Sequence, residues 1–252
     1  MLGGIKKMKK LLAVFVFICL TSNYVFAGSF DKFNTMLNNA SDATAQRYLD
    51  NLASDMGAVM TGGNFGVSAS LGLLNLSANL KISNINVSNE IMRNSGTSEM
   101  FLPILSLHVG LPYRLGILGK YGYGYDSNLY GLGLRYTVYE SSMLALPSVS
   151  VQGMYSLMQT RCDDNDFDTN DINLGACATF DQIPFVTPYI ALGWDKVNLK
   201  PKSSNKQYLT GEAENFGYGL GVAVNIVTFH LSCGVSWYRG VPNYTFGLNF
   251  AV

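Results

Sequence analysis

The feature that most constrains the fold of this chain is a strict alternation of apolar and small polar residues over residues 64–252. In one segment Tyr130, Leu132 and Leu134 share one face, and small residues such as Gly131 occupy the other. A period of two is the pattern of a β-strand with one apolar face. Each alternating segment has about ten residues, which is the length of a tilted strand that crosses a membrane. The pattern predicts an all-β fold, an antiparallel transmembrane β-barrel.

A soluble, secreted β-sandwich is the alternative, because its strands also alternate. Charged residues make up only 13% of the chain, and the face opposite the apolar one carries Gly, Ser, Asn and Thr. Sandwich strands are also shorter, at about 5–6 residues. The 17 basic residues equal the 17 acidic ones, a balance that argues against a nucleic-acid partner. The barrel is therefore the favoured fold.

The alternating segments predict about ten strands, with 8–12 compatible with the pattern. Short and long connections alternate along the chain, as periplasmic turns and external loops do in bacterial outer-membrane barrels. This arrangement predicts the outer membrane of a Gram-negative bacterium, with both ends of the chain in the periplasm. The predicted strands are 73–86, 99–111, 113–125, 129–140, 147–158, 172–181, 186–198, 214–226, 228–238 and 243–252.

Residues 1–27 are typical of a secretory signal peptide. Basic residues from Lys6 to Lys10 precede an apolar run from Leu11 to Leu20, and Ala27 is a suitable cleavage site. The apolar run is shorter than the ~20 residues that a membrane-spanning helix needs. Cleavage after Ala27 would remove four lysines and no acidic residue, leaving a mildly acidic mature chain.

Residues 28–63 form a separate N-terminal segment with helical spacing of apolar residues such as Leu37 and Leu52. Ser41 and Asp42 are suited to end one helix and begin another. The segment predicts one or two short amphipathic helices. It is a candidate plug for the barrel.

Three short patterns in the strands resemble known outer-membrane proteins. They are Leu102-Pro103 with Gly110-Leu111-Pro112, Thr187-Pro188-Tyr189 with Gly193-Trp194, and the alternating Tyr244, Phe246, Leu248, Phe250 and Val252. The last pattern resembles the assembly signal of bacterial outer-membrane proteins, although that signal ends in an aromatic residue. The first two look like segments of barrel families distantly similar to FadL-type transporters. The resemblance implies a porin-like barrel preceded by a helical segment, and recognition of its last strand by the outer-membrane assembly machinery.

The face of small residues is predicted to line the lumen. Its charged members could fill a narrow barrel with an internal network of ion pairs, or they could guide an anionic solute. A ten-stranded barrel is only slightly wider than an eight-stranded one, whose interior is filled by side chains. The candidate lumen-lining residues are Arg114, Lys120, Arg135, Met154 and His230, with Glu140, Asp181 and Glu214 as possible counter-charges.

An acidic segment falls in the predicted loop 159–171. Asp164, Asp166 and Asp168 alternate in a way that suits Ca²⁺, but the EF-hand pattern requires Gly where Thr169 stands. We therefore predict a solvated loop, no metal site and no cofactor, with this loop as a weak calcium candidate.

Cysteines flank the same acidic segment. Cys162 and Cys177 could form a disulfide in an oxidising periplasm, which would pin the hairpin. Cys177 lies inside a predicted strand, however, so the bridge requires the loop to fold inward. Both possibilities stay open from the sequence.

Enzymatic activity is not predicted. The chain has two histidines, His108 and His230, and both fall near the rim with the short turns, a poor place for a general base. Ser232 lies near His230 without a placed acidic partner. An outer-membrane protease or lipid-modifying enzyme is therefore the least favoured function.

The predicted function is a narrow channel or transporter for small hydrophobic or anionic solutes. The alternative is a structural or surface-interaction barrel that transports nothing. Expected partners are outer-membrane lipids and lipopolysaccharide, together with the assembly machinery, and no nucleic acid.

Overall fold

The computed structural model describes residues 27–61, 64, 76–87, 93, 99–124, 126–143, 146–161, 166–202, 204–226, 229–238 and 241–251. Within these residues two helices precede ten strands, with a short 3₁₀ turn at Pro112–Arg114. The helices are α1 (Ala27–Asn39) and α2 (Asp42–Thr61). The strands are β1 (Leu76–Asn86), β2 (Glu99–Gly110), β3 (Leu115–Gly124), β4 (Ser127–Tyr139), β5 (Ser148–Thr160), β6 (Phe167–Thr179), β7 (Val186–Pro201), β8 (Gly211–Ile226), β9 (Phe229–Tyr238) and β10 (Val241–Ala251).

The ten strands form a closed antiparallel barrel in which each strand pairs with its neighbours in the chain. The first and last strands close it, with Ser77 opposite Ala251 and Ile85 opposite Asn243. Closure leaves no unpaired sheet edge. The predicted fold class, a barrel of about ten strands after a helical segment, is confirmed.

The connections divide the barrel into two ends. At the long-loop end lie the connections that follow β1, β3, β5, β7 and β9, and at the short-turn end lie those that follow β2, β4, β6 and β8. β6 begins at Phe167, five residues earlier than predicted, so the predicted loop 159–171 shortens to 161–166. The prediction was wrong here because polar residues that face the lumen resemble loop residues in sequence.

The two faces of the wall differ as the alternation predicts. Leu132, Leu134 and Phe216 point outward and are 67%, 60% and 65% exposed. The inward positions of β5 are mostly small or polar, as at Ser150 and Ser156. An apolar outer belt around a polar interior is the arrangement of a membrane-spanning barrel. In the described part of the chain, neither helix is long and apolar enough to span a bilayer.

Helix α2 lies inside the barrel. All ten residues from Leu52 to Thr61 are buried, so no face of this half of the helix is open to solvent. The helix contacts β1, β2, β6, β7 and β8, whose inner faces surround it. Ser41 caps its start, where the amide of Thr44 donates to the Ser41 hydroxyl at 3.4 Å.

The helices enter from the long-loop end. The ring of Phe33 in α1 packs edge-on against Phe167 at the start of β6, with 5.9 Å between centroids. From there α2 runs towards the middle of the barrel, where Lys120 of β3 meets its last turn. Residues 1–26, which include most of the predicted signal peptide, lie outside the described residues.

Candidate functional site: the occupied lumen

The first half of α2, which is nearer the long-loop end, is attached to β8 and to the loop before it. The Gln46 side chain donates to the Thr210 carbonyl at 2.7 Å, and the amide of Glu212 donates to Asp50 at 2.9 Å. These contacts tie two turns of the helix to the start of one strand.

Asp42 at the beginning of α2 accepts hydrogen bonds from Lys206 and from the Tyr208 hydroxyl, the latter at 2.7 Å. The hydrogen bond from Lys206 is the main reason that the pKa of Asp42 lies below its ordinary value. The same hydrogen bond raises the pKa of Lys206. This ion pair therefore fixes the start of the helix to the loop between β7 and β8.

Two glycines allow the helix and the wall to approach closely. A Cβ added at Gly57 would lie 2.4 Å from Val197 Cγ2, and one added at Gly211 would lie 2.5 Å from the Leu49 carbonyl oxygen. Both distances are far below van der Waals contact. One glycine is on the helix and the other is on β8, so the helix meets the wall closely at two levels.

A chain of buried polar groups connects the middle of α2 to two strands. The Ser54 hydroxyl donates to Asn215 Oδ1 at 3.0 Å, and Asn215 Nδ2 donates to Asp195 Oδ2 at 2.8 Å. Asp195 and Asn215 face each other on β7 and β8. The helix is thus held by hydrogen bonds as well as by apolar packing.

Wall side chains bind the carbonyls at the C-terminal end of α2. Lys120 Nζ donates to the Met60 carbonyl at 2.7 Å and to Asn64 Oδ1 at 3.1 Å. Asn243 donates to the Ala58 carbonyl at 2.7 Å. A cation at this end complements the negative end of the helix dipole.

Below the helix, towards the short-turn end, lies a cavity of about 60 Å³. Arg135 is buried in its wall and donates to the Ser150 hydroxyl at 2.6 Å. His108, Glu140 and Asp181 also line this space, so it carries charge of both signs.

The predicted lumen-lining residues fall into separate groups. Lys120 contacts the helix, Arg135 lies at the lower cavity, and Met154 is buried on the inner face of β5. His230 is on β9 opposite Asn225 and Asn249. The barrel does not bring these side chains together into one basic strip.

Arg114 was predicted to lie on a strand. It lies instead in the 3₁₀ turn before β3, where its φ is 62°. Its side chain is half exposed at the rim of the lower cavity, and its Nε lies 3.9 Å from Glu140 Oε2. Glu214, a predicted counter-charge, points outward and pairs with Lys196 at 3.2 Å. The left-handed turn breaks the alternation that placed Arg114 in the lumen.

The most strongly buried acidic groups were missed by the sequence analysis. Asp171 and Asp195 are fully buried on the inner faces of β6 and β7. The inward parity of the predicted strand 186–198 could have identified Asp195. Asp171 carried no usable signal, because it lay in a predicted loop.

Residues 167–171 of the acidic segment belong to β6, and Asp166 directly precedes the strand. Asp168 pairs with Lys202 at 2.7 Å, and Asp164 lies outside the described residues. Among the residues that the structure describes, no group of three or more His, Cys, Asp or Glu side chains could hold a metal ion.

The possible disulfide between Cys162 and Cys177 stays a prediction, because Cys162 lies outside the described residues. Cys177 is buried on β6, opposite Ser150 of β5.

No protein-family model matches the chain, and no curated protein matches it. Among solved structures, the N-terminal β-barrel domain of Pseudomonas aeruginosa OprF matches with a TM-score of 0.37 and 12% identity, covering 72% of this chain and 100% of that one. The KdgM porin matches with a TM-score of 0.38 and 10% identity, covering 69% and 98%. An outer membrane channel from Pseudomonas putida F1 matches with a TM-score of 0.46 and 9% identity, covering 74% and 100%. At these identities the similarity concerns the fold alone.

Proposed function

We propose that the protein is an outer-membrane channel for small hydrophobic or anionic solutes whose lumen is closed by helix α2. The observation that carries the proposal is the attachment of α2 to the inside of the wall. Hydrogen bonds donated by Lys120 and Asn243, together with one that Asn215 accepts from Ser54, hold it there. Contacts of this kind can be broken and remade without unfolding the barrel, whose wall has its own backbone hydrogen bonds.

The lining of the lumen supports the choice of solute. Leu129, Met158 and Phe167 are buried apolar residues on the inner wall of the barrel, in the half nearer the long loops. They belong to one apolar cluster with residues of both helices, so displacement of the helical segment would expose them to an apolar solute. Arg135, in the half of the barrel nearer the short turns, would bind the anionic group of a solute.

A disulfide between α2 and the wall tests the proposal. Ser54→Cys with Asn215→Cys, in a chain whose own cysteines are replaced by serine, joins two side chains already in contact. We expect single-channel openings in planar bilayers under reducing conditions and their loss on oxidation. If current flows equally in both states, the solute path does not depend on α2.

A matched bridge on the outside of the barrel provides the control. Asn170 and Asn198 lie opposite each other on β6 and β7 and are joined by a hydrogen bond of 3.1 Å. A cysteine pair at these positions leaves α2 free, so oxidation should not change the current.

The second candidate is a barrel with a structural or surface-interaction role. It is favoured by the same filled lumen, since a channel without an open path carries no solute. Absence of current and of solute uptake in the reduced double-cysteine chain would establish this candidate over the first.

Other parts of the proposal rest on the sequence and on the apolar outer belt. We propose an outer-membrane location after removal of a signal peptide, contact with lipids and lipopolysaccharide, and assembly through β10. We also propose a distant relationship to FadL-type transporters and a role other than catalysis.

A further inference from the structure

A row of inward-facing residues crosses four strands at the level where α2 ends. Lys120 of β3 lies opposite Gly131 of β4, Gly131 opposite Ser156 of β5, and Ser156 opposite Asp171 of β6. A Cβ added at Gly131 would lie 2.6 Å from Lys120 Cε, so the lysine side chain crosses this glycine. The ammonium group is therefore on the same side of the lumen as Asp171.

A second acidic residue lies one inward position away. Asp195 of β7 is opposite Asn173 of β6, two residues along the strand from Asp171. Residues in this diagonal relation have Cβ atoms up to about 7–8 Å apart, whereas directly opposed residues such as Ser156 and Asp171 have them about 4.5–5.5 Å apart. Two carboxylates and a hydroxyl thus face one small volume.

Oxygen atoms in this volume lack hydrogen-bond partners. Asp171, Asp195 and Ser156 are each 0% exposed. Among the described residues, nothing donates to either carboxylate oxygen of Asp171 or to Asp195 Oδ1, and Ser156 Oγ has no partner. Buried polar groups are normally paired, and an unpaired carboxylate in a dry interior is strongly unfavourable.

The ionisable groups in the cluster are unequal in number. Lys120 interacts electrostatically with both carboxyl groups, but it donates its hydrogen bonds to Met60 and Asn64. When all three groups are ionised, two carboxylates and one ammonium leave one negative charge. The carbonyl end of α2 adds further negative potential.

We infer that Asp171, Asp195 and Ser156 form a binding site for one small monovalent metal cation of the sodium type. The donors are oxygens only, which selects a hard cation. One unbalanced negative charge matches a monovalent ion, whereas a divalent ion would leave an excess positive charge.

The position of the site couples the cation to the closed state of the lumen. Asn64, just after α2, donates to Asn173 Oδ1 at 3.2 Å and accepts from Lys120. Asn215 connects Asp195 to Ser54 of the helix. The cation would therefore join β5, β6 and β7 beside the groups that hold α2. This site does not depend on the protein being a channel.

Thermal unfolding of the full chain in detergent micelles tests the site. The unfolding temperature should be several degrees higher in sodium chloride than in N-methyl-D-glucamine chloride at equal ionic strength. The reason is that a ligand that binds only the folded state stabilises it. The rise should saturate with sodium concentration. Equal midpoints in the two salts would overturn the inference.

Two substitutions on the same strand form a matched pair. Asp171→Asn should abolish the response to sodium, and Asp168→Asn, which removes the exposed partner of Lys202, should retain it. If Asp171→Asn does not assemble, Ser156→Ala keeps the charges and removes one oxygen donor. It should raise the half-saturating sodium concentration at least about tenfold, since loss of even an outer-shell partner of a metal site has that effect. An unchanged response in every one of these variants that folds would overturn the site.

Competing occupants are distinguished in the same experiment. A midpoint that rises on acidification in the organic-cation buffer, without any response to sodium, would assign a proton to the carboxylates and overturn the metal site. A stronger response to calcium than to sodium would overturn the monovalent assignment. Failure of the conductance experiment would leave these outcomes unaffected.

Discussion

At the scale of single residues, Gly57 is the position where the helix and the wall leave least room. Val197 is β-branched, with Cγ2 2.4 Å from an added Cβ, and it cannot move away easily because its χ1 is restricted. The neighbouring Asp195 carboxylate, 2.9 Å away, closes the other side. The helix can therefore take no side chain here without shifting.

Gly57→Ala should lower the free energy of unfolding by about 1–2 kcal/mol. Overpacking costs about 1–3 kcal/mol, and the better helix propensity of alanine returns up to about 1 kcal/mol. Urea unfolding in micelles measures the change. Gly119→Ala is the control, since an added Cβ there meets nothing within 4 Å and should leave stability nearly unchanged. Equal effects of the two substitutions would contradict the close contact.

At the scale of elements, helix α2 shows what the sequence can and cannot predict. Its existence and its start at Ser41 and Asp42 follow from local spacing and capping. Its location depends on contacts such as Lys120 to Met60 and Asn243 to Ala58, which join residues far apart in the chain. No periodicity in the sequence encodes such long-range pairings. The sequence could therefore indicate a candidate plug but could not place it in the lumen.

The strands divide in the same way. Alternation predicted all ten, because lipid on one side and a lumen on the other impose opposite preferences on successive residues. It failed at the beginning of β6, where Asp168 and Asp171 made a strand resemble a loop. The cation site was missed for that reason.

The start of α2 should respond to pH through Asp42 and Lys206. The pKa of Asp42 is lowered, so its contribution is present above the unfolded value of about 4 and is lost as pH falls through the folded value. The pKa of Lys206 is raised, so its contribution is present below about 10.4 and is lost as pH rises beyond the folded value. The ion pair should act fully between about pH 5 and 9.

Asp42→Asn should therefore lower the urea midpoint at pH 7, and its effect should disappear as pH falls through the folded pKa of Asp42, because wild-type Asp42 is then also protonated. Tyr208→Phe, which removes one donor and leaves Lys206 in place, should have a smaller effect at pH 7. A difference between wild type and Asp42→Asn that persists undiminished at pH 2 would refute the assignment.

At the scale of the whole molecule, the outer surface determines where the barrel resides. Large apolar side chains cover the outward positions of successive strands, as Leu132 on β4, Ile172 on β6 and Phe216 on β8 do. A water-soluble barrel would carry charge there. The belt is therefore the surface that a lipid bilayer would cover.

Leu132→Arg places a charge near the middle of β4 on this belt and should destabilise the barrel in lipid vesicles by about 2–4 kcal/mol. Ser142→Arg, in an exposed turn, is the control and should change stability little. The measurement is equilibrium unfolding in vesicles. If both variants are equally stable there, the belt does not contact lipid.

The closure of β1 on β10 has a consequence for how the molecule is assembled. This pairing joins Ser77 to Ala251, the most distant pairing along the chain in the wall, and contacts of such separation form slowly. Until that seam forms, the wall is an open curved sheet, and a helix that precedes β1 can dock sideways on β6, β7 and β8. Once it forms, the helix can enter or leave only along the barrel axis. Formation of this seam thereby converts a reversible docking surface into an enclosed compartment, and its timing relative to docking of the helix decides whether a finished barrel is filled or empty.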